Sequence, residues 1–130
     1  MSSYSIAVSG LAAQSAKVAG HAQNIVNAGV TGKPHSKPGA RIAYQPVDVV
    51  SISREGGGVS TQVVPRDPGT SLVYAPDSAD SDENGNVAVP DVSLEEEIVG
   101  LSTAKNAYAA DAKIISVQRQ MDKDLLDIIT

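Results

Sequence analysis

The sequence predicts an α+β fold, with two long terminal helices packed as a coiled-coil-like pair and a small antiparallel β-rich insert between them. Three observations carry this expectation. Apolar residues recur at helical spacing through both ends of the chain, the ends lack proline, and β-branched runs separated by glycine occupy the middle. The corresponding segments are an N-terminal helix over 1–28, a loop and β-rich middle over 29–92, and a C-terminal helix over 93–130.

In the first helix Tyr4, Val8, Leu11, Ser15, Val18, Ala22 and Ile25 alternate spacings of four and three, which is a heptad seam. Ala7, Ala12, Ala19 and Val26 flank the seam and widen its apolar face, and Gly29 is the expected stop. Gly10 and Gly20 lie inside the helix, where each costs about 1 kcal/mol against Ala unless a close neighbour compensates. On its own this helix is weak.

From Gly32 to Pro46 the chain becomes Gly-Lys-Pro-His-Ser-Lys-Pro-Gly and onward, a cluster of helix breakers expected to form an exposed loop. Val47–Ser53 and Val59–Val64 are β-branched and are joined by Arg54-Glu55-Gly56-Gly57-Gly58, so they read as two strands with a glycine turn. Ser71–Tyr74 and Val87–Val89 add short strands to one small antiparallel element, with 77–86 as an exposed acidic loop.

Ser93 with Glu96 three positions on forms a capping box, and Glu95 and Glu97 place negative charge where the helix dipole favours it. Only Gly100 interrupts the helix from there to Thr130, giving about 36 residues and roughly 54 Å of length. Leu94, Ile98, Leu101, Tyr108, Ala112 and Ile115 share one stripe, whereas Ile114, Val117, Met121, Leu125 and Ile128 share an adjacent one. A drifting stripe fits a helix with more than one neighbour.

Composition narrows the function classes. The 130 residues include no Trp or Phe and only four Tyr, so the rings that bury most area per side chain are nearly missing. Ala, Val, Ile and Leu fill narrow helix seams but leave an isolated globule short of buried area, which points to stabilisation by neighbouring copies or partners. Ten basic against fifteen acidic residues give a net charge of -5, with no basic run, so nucleic acid and anionic membrane are poor partners. Neither a spanning apolar stretch nor a cleavable signal pattern is visible, so no lipid insertion is expected. Zero cysteines exclude disulfides and thiolate metal sites and leave the compartment open.

Three motifs invite chemistry. Asp80-Ser81-Asp82-Glu83-Asn84-Gly85-Asn86-Val87 matches the first half of an EF-hand loop, with Asp91 at position twelve; a calcium-binding module using 80–91 is the alternative function. Against it, extended Leu72-Val73-Tyr74 and Pro76 replace the entering helix and Pro90 occupies position eleven, so an acidic turn is the default. Gly56-Gly57-Gly58 has no following helix or Lys-Ser/Thr pair and reads as a turn, not a phosphate cradle. His21 and His35 lack companions at ligand or catalytic spacing and read as ordinary packed or solvated side chains. No catalytic, cofactor-binding or metal-binding residue is assigned. Asn24 and Asn27, at the end of the first helix, suit a turn-stabilising or subunit-docking role.

Ser9-Gly10-Leu11 early in the first helix and Asn24-Ile25-Val26-Asn27-Ala28 at its end resemble the N-terminal signature of flagellar rod and hook proteins. Asp67-Pro68, Leu72-Val73-Tyr74, Pro76, Ala79-Asp80, Asn84-Gly85, Val87, Pro90 and Val92 follow in the order of the C-type proximal rod proteins. Glu96-Glu97-Ile98-Val99, Leu101, Ala104, Ala107-Tyr108, Ala110 and Met121 continue the resemblance, which spans essentially the whole chain. It implies a non-enzymatic subunit of the basal-body rod, exported through the flagellar type III apparatus to the periplasmic rod. Implied partners are other rod proteins, ring or export-gate components, and copies of the chain itself. The expected assembly surface comprises Tyr4, Val8, Leu11, Val18, Ala22, Ile25, Leu94, Ile98, Leu101, Tyr108, Ile115, Met121 and Leu125.

Overall fold

A computed structural model describes residues 2–34 and 39–129. Its elements run α1 (Ser3–Asn27), β1 (Val47–Ser53), β2 (Val59–Pro65), β3 (Thr70–Tyr74), β4 (Asn86–Pro90) and α2 (Leu94–Ile129). The fold is α+β, with two terminal helices around small antiparallel sheets, as the sequence predicts. His35 lies outside the described residues.

The helices start where side chains can satisfy their free amides. Ser2 caps α1 by accepting from the Ser5 N–H at 3.3 Å, and the Ser93 hydroxyl accepts from the Glu96 N–H at 3.4 Å. Asn27 closes the last turn of α1 by donating to the Gln23 carbonyl at 2.8 Å. Gly29, expected to stop α1, is not left-handed: the chain leaves through Ala28 at φ -57°. With the Asn27 side chain on the last turn and the Val30 N–H on the Asn27 carbonyl, no left-handed glycine is needed.

α1 and α2 are antiparallel neighbours, as successive contacts show: Asn24 meets Glu97, His21 lies over Gly100, Gly10 lies under Asp111, and Tyr4 meets Arg119. The seam between them is not the predicted one. α1 buries Ala13, Gly20 and Asn24, and α2 buries Glu97 and Ala104, whereas Tyr4 and Val8 remain 42% exposed and Ile98 is 56% exposed. Short side chains let the helix axes approach, so the large apolar stripes turn outward. Gly10 is accounted for by this closeness, and Gly20 by the close approach of β1. A Cβ at Gly10 would stand 2.9 Å from the Asp111 carboxylate, and one at Gly20 would stand 2.6 Å from a Val49 methyl.

The middle forms two separate two-stranded antiparallel sheets instead of one element. β1 pairs with β2 from Val47↔Pro65 to Ser53↔Val59. Their turn is closed by the Arg54 N–H on the Gly58 carbonyl (3.1 Å), and Gly56, Gly57 and Gly58 all have positive φ. This hairpin lies on α1: Gly57 sits at Ile6, the Val59 N–H donates to the Ser9 hydroxyl at 3.1 Å, and Val49 covers Gly20. β3 pairs with β4 from Thr70↔Pro90 to Tyr74↔Asn86. The second edge of β4 is taken at one point by Gly32, which exchanges both backbone hydrogen bonds with Ala88 (3.0 and 2.9 Å). β4 is therefore the buried strand, and β3 is exposed throughout.

Two loop expectations need correction. The 32–46 segment is not simply exposed, because Ala43 and Pro46 are buried, and any side chain at Gly32 would strike the backbone of Ile42 and Ala43. The acidic segment 77–86 is not wholly exposed either: Asp80 is 8% exposed, and Asn86 already belongs to β4. Both corrections have one cause. Backbone pairing at Gly32 pulls the loop onto β4, and Asp80 follows because the Thr31 hydroxyl donates to it at 2.7 Å. Besides Pro46 and Pro90, the buried apolar side chains among the described residues are Ala13, Ala43, Val87, Ala88 and Ala104, all small.

Candidate functional site

Two features of the fold bear on function: a buried polar joint between the helices and the β-rich middle, and apolar helix faces left uncovered.

The joint is built around Asn24 and Glu97, which are 1% and 2% exposed. Asn24 Nδ2 donates to the Val47 carbonyl (2.9 Å) and to Glu97 Oε1 (3.1 Å), while its Oδ1 accepts from the Val47 N–H (3.0 Å) and the Tyr44 hydroxyl (2.9 Å). The amide thus acts as a strand partner for the first residue of β1 and fixes the hairpin to α1. Glu97 accepts in addition from His21 Nδ1 (2.6 Å) and from the Arg66 guanidinium (3.0 Å). Arg66, just beyond β2, also donates to Asp48 on β1 (2.8 Å) and to the Asp91 carbonyl ahead of α2 (3.1 Å). One side chain therefore ties β1, β2 and α2 together.

Burial alone would raise the Glu97 carboxyl, but donors from His21, Arg66 and Asn24 prevail and hold it below the ordinary carboxylate range. The Asp48 carboxylate raises Arg66 above its ordinary value; burial opposes this and Glu97 adds to it. Burial and the negative charge of Glu97 push the Tyr44 hydroxyl up. No side-chain nitrogen or oxygen buried among the described residues lacks a hydrogen-bond partner. A satisfied cluster of this kind fixes one arrangement of elements.

Of the residues singled out in the sequence, Asn24 proves to be the centre of this joint and not a turn residue, whereas Asn27 does stabilise the helix end. Ser9 anchors β2, and Gly10 admits Asp111. His21 is packed, as its isolation suggested, but it serves Glu97 directly. Sequence reasoning missed Glu97, Arg66, Asp48 and Tyr44 as a unit. The available signal was that Glu97 shares a helix face with Gly100 and Ala104 at spacings of three and seven.

The other feature is the outer surface of the helices. Tyr4, Val8, Leu94, Ile98, Tyr108, Met121 and Leu125 are exposed, and Leu11, Val18, Ala22, Ile25, Leu101 and Ile115 are half-buried. Along α1 these residues lie on the side turned away from Ser9 and Gly20, which carry the hairpin. Beyond Arg119, the partner of Tyr4, α2 runs past the start of α1 for about 15 Å. Met121, Leu125, Leu126 and Ile128 on this overhang are all more than half exposed.

The acidic loop spends its carboxylates on the protein. Asp80 accepts from Thr31 and faces Arg41 at 3.9 Å, and Asp82 Oδ1 accepts from the N–H groups of Asn84 (2.9 Å) and Asn86 (2.8 Å). Among the described residues no group of three or more His, Asp or Glu side chains is placed to hold a metal ion. The loop geometry is that of an Asx turn.

Helices joined through a small-residue seam, apolar outside, and locked to a β-rich middle by a polar cluster have the features of a structural protein. Comparison with known proteins gives its family. Residues 83–128 match the family described as the C-terminal region of the flagellar basal-body rod proteins FlgE, FlgF and FlgG. The flagellar basal-body rod protein FlgC of Salmonella typhimurium is 30% identical over 120 residues, covering 91% of this chain and 89% of the relative. FlgC of Escherichia coli O157:H7 is 28% identical over the same shares. FlgC of Borreliella burgdorferi is 28% identical over an alignment of 146 positions, covering 98% of this chain and 96% of the relative. The chain belongs to the FlgC family of flagellar basal-body rod proteins.

Proposed function

We propose that this chain is a proximal-rod subunit that assembles axially through its terminal helices with other rod proteins, ring or export-gate components and copies of itself. Its role is structural rather than catalytic, and it reaches the periplasmic rod through the flagellar type III apparatus. The reading assigns the helices at 1–28 and 93–130 to assembly and the middle at 29–92 to a part held against them.

One observation carries this reading: the helices meet each other through Ala, Gly and Asn, while their large apolar side chains stay in water. An apolar helix surface that the chain does not use for its own packing is surface for a neighbour. Burying it in the assembly supplies the area that the all-small core lacks.

The test uses Ile98→Asp and Leu125→Asp in the full-length chain. Both positions are more than half exposed, so each substitution should change the stability of the free chain by no more than about 0.5 kcal/mol. In the assembly the same carboxylate is buried without a partner at a cost of several kcal/mol. Expected is normal expression and an unchanged melt with loss of swimming. Normal swimming in both variants would sink the assignment of these faces.

A further inference from the structure

We propose that Asn84 is the site of spontaneous covalent modification in this chain, deamidation through a cyclic imide, and that the native turn is its brake.

The chemistry needs a backbone nitrogen able to reach its neighbour's side-chain amide. The N of the following residue attacks the Asn Cγ, the Cγ–Nδ2 bond breaks, and the amide leaves as ammonia. Water then opens the five-membered imide at either carbonyl, giving Asp or isoaspartate. No oxidant, reductant or metal takes part. The residue after the Asn decides the approach, because a side chain there crowds the attacking nitrogen and glycine alone offers none.

The chain contains five asparagines, followed by Ile25, Ala28, Gly85, Val87 and Ala107. Only Asn84 precedes glycine. Asn24, Asn27 and Asn106 are further held inside α1 and α2, and Asn86 lies in β4 with a β-branched successor. Asn84 is exposed in the loop between β3 and β4, so water reaches it.

The folded turn restrains the attacking atom. The Gly85 N–H donates to the Asp82 carbonyl at 3.1 Å, and the Gly85 carbonyl accepts from the Ala75 N–H at 2.9 Å. Asp82 Oδ1 meanwhile holds the N–H groups of Asn84 and Asn86 at 2.9 and 2.8 Å. Gly85 has φ +78° and is packed so closely that a Cβ would meet the Tyr74 ring at 2.8 Å. Its nitrogen cannot swing toward Asn84 Cγ while these contacts stand. Reaction therefore follows the fraction of time the turn is open. Isoaspartate inserts a methylene into the main chain between the two amides that Asp82 holds, so the product turn cannot close in the same register.

The experiment incubates the full chain at pH 8 and 37 °C, with and without urea, and follows deamidation at each Asn by peptide mapping with mass spectrometry. Expected is modification at Asn84 ahead of the other four, with a mixture of Asp and isoaspartate. One hydrogen bond of ordinary net strength biases the turn about fivefold toward closed, so urea should speed Asn84 by about fivefold or more. Asp82→Ala removes the side-chain brace and should speed the reaction in native buffer, while Asn84→Gln should abolish it at this position. Earlier modification at another Asn would overturn the assignment. Equal rates at Asn84 with and without urea, together with no acceleration in Asp82→Ala, would overturn the brake.

Discussion

At the scale of single residues, Glu97 is a buried charge held by donors from the protein itself. Three donors converge on a carboxylate that is 2% exposed, and they hold its pKa below the ordinary value despite burial. The sign of the linkage follows. A depressed folded pKa contributes stability that is present above the unfolded value, about 4.3, and is lost as pH falls through the folded value. Glu97→Gln should therefore cost about 2–3 kcal/mol at pH 7, and the cost should shrink as pH falls through the depressed folded pKa and the native carboxyl is protonated as well. Urea titrations of both proteins from neutral pH down through the acid range test this; a difference independent of pH would refute the charge argument.

Glycines offer a second residue-scale test, since their effects differ by what a Cβ would meet. At Gly100 it would collide with the His21 ring, whereas at Gly29 it meets nothing within 4 Å and φ is not positive. Gly100→Ala should destabilise by about 1–3 kcal/mol through overpacking, in spite of a helix-propensity gain of about 1 kcal/mol. Gly29→Ala should be neutral or stabilising by up to about 1 kcal/mol. Thermal melts of the pair, reversed in order, would contradict the close approach of α1 and α2 at His21.

Elements show a division between what closes locally and what needs a neighbour. The β3–β4 loop closes by itself through Asp82 and Gly85, and its shape depends on a positive φ that β-branched residues resist. Gly85→Val should lower the melting temperature, since its Cβ also runs into Tyr74 and Pro76. Asp80→Asn with Asp82→Asn should be milder, because amide oxygens still accept from Thr31 and the turn amides. Millimolar calcium should shift neither the melt of the native chain nor that of the double variant. A calcium-dependent rise lost in the double variant would restore the metal reading. The overhang of α2 shows the opposite case: past Arg119 side-chain hydrogen bonds run within the helix, as from Gln120 to Asp124, and Met121 and Leu125 are more than half exposed.

At the scale of the whole molecule, the proposed assembly implies that stability is shared between the chain and its neighbours. Five alanine and valine side chains with Pro46 and Pro90 make up the described buried apolar core, and more than twenty larger ones remain exposed, so the free chain should be marginal. Anything that binds the folded form stabilises it by mass action. The melting temperature of the purified protein should therefore rise with concentration between micromolar and millimolar. A temperature independent of concentration over that range would show that the exposed faces do not mediate self-association.

The elements themselves were written in the sequence. Periodicity and the position of proline located α1 and α2, and β-branched runs located all four strands to within a residue or two, because these signals are local. The apolar stripes were legible as well. What they faced was not, because a heptad pattern marks a surface that will be buried without saying whether the partner lies in the same chain. Only the tertiary structure decided that α1 and α2 meet where Asn24 faces Glu97, His21 faces Gly100 and Gly10 faces Asp111. It alone brought Arg66 to Glu97 across 31 positions and Asn24 to Val47 across 23. Such pairs have no spacing rule: they form where packed backbones happen to bring a donor to a buried acceptor, and their strength comes from exclusion of water that no single segment can achieve.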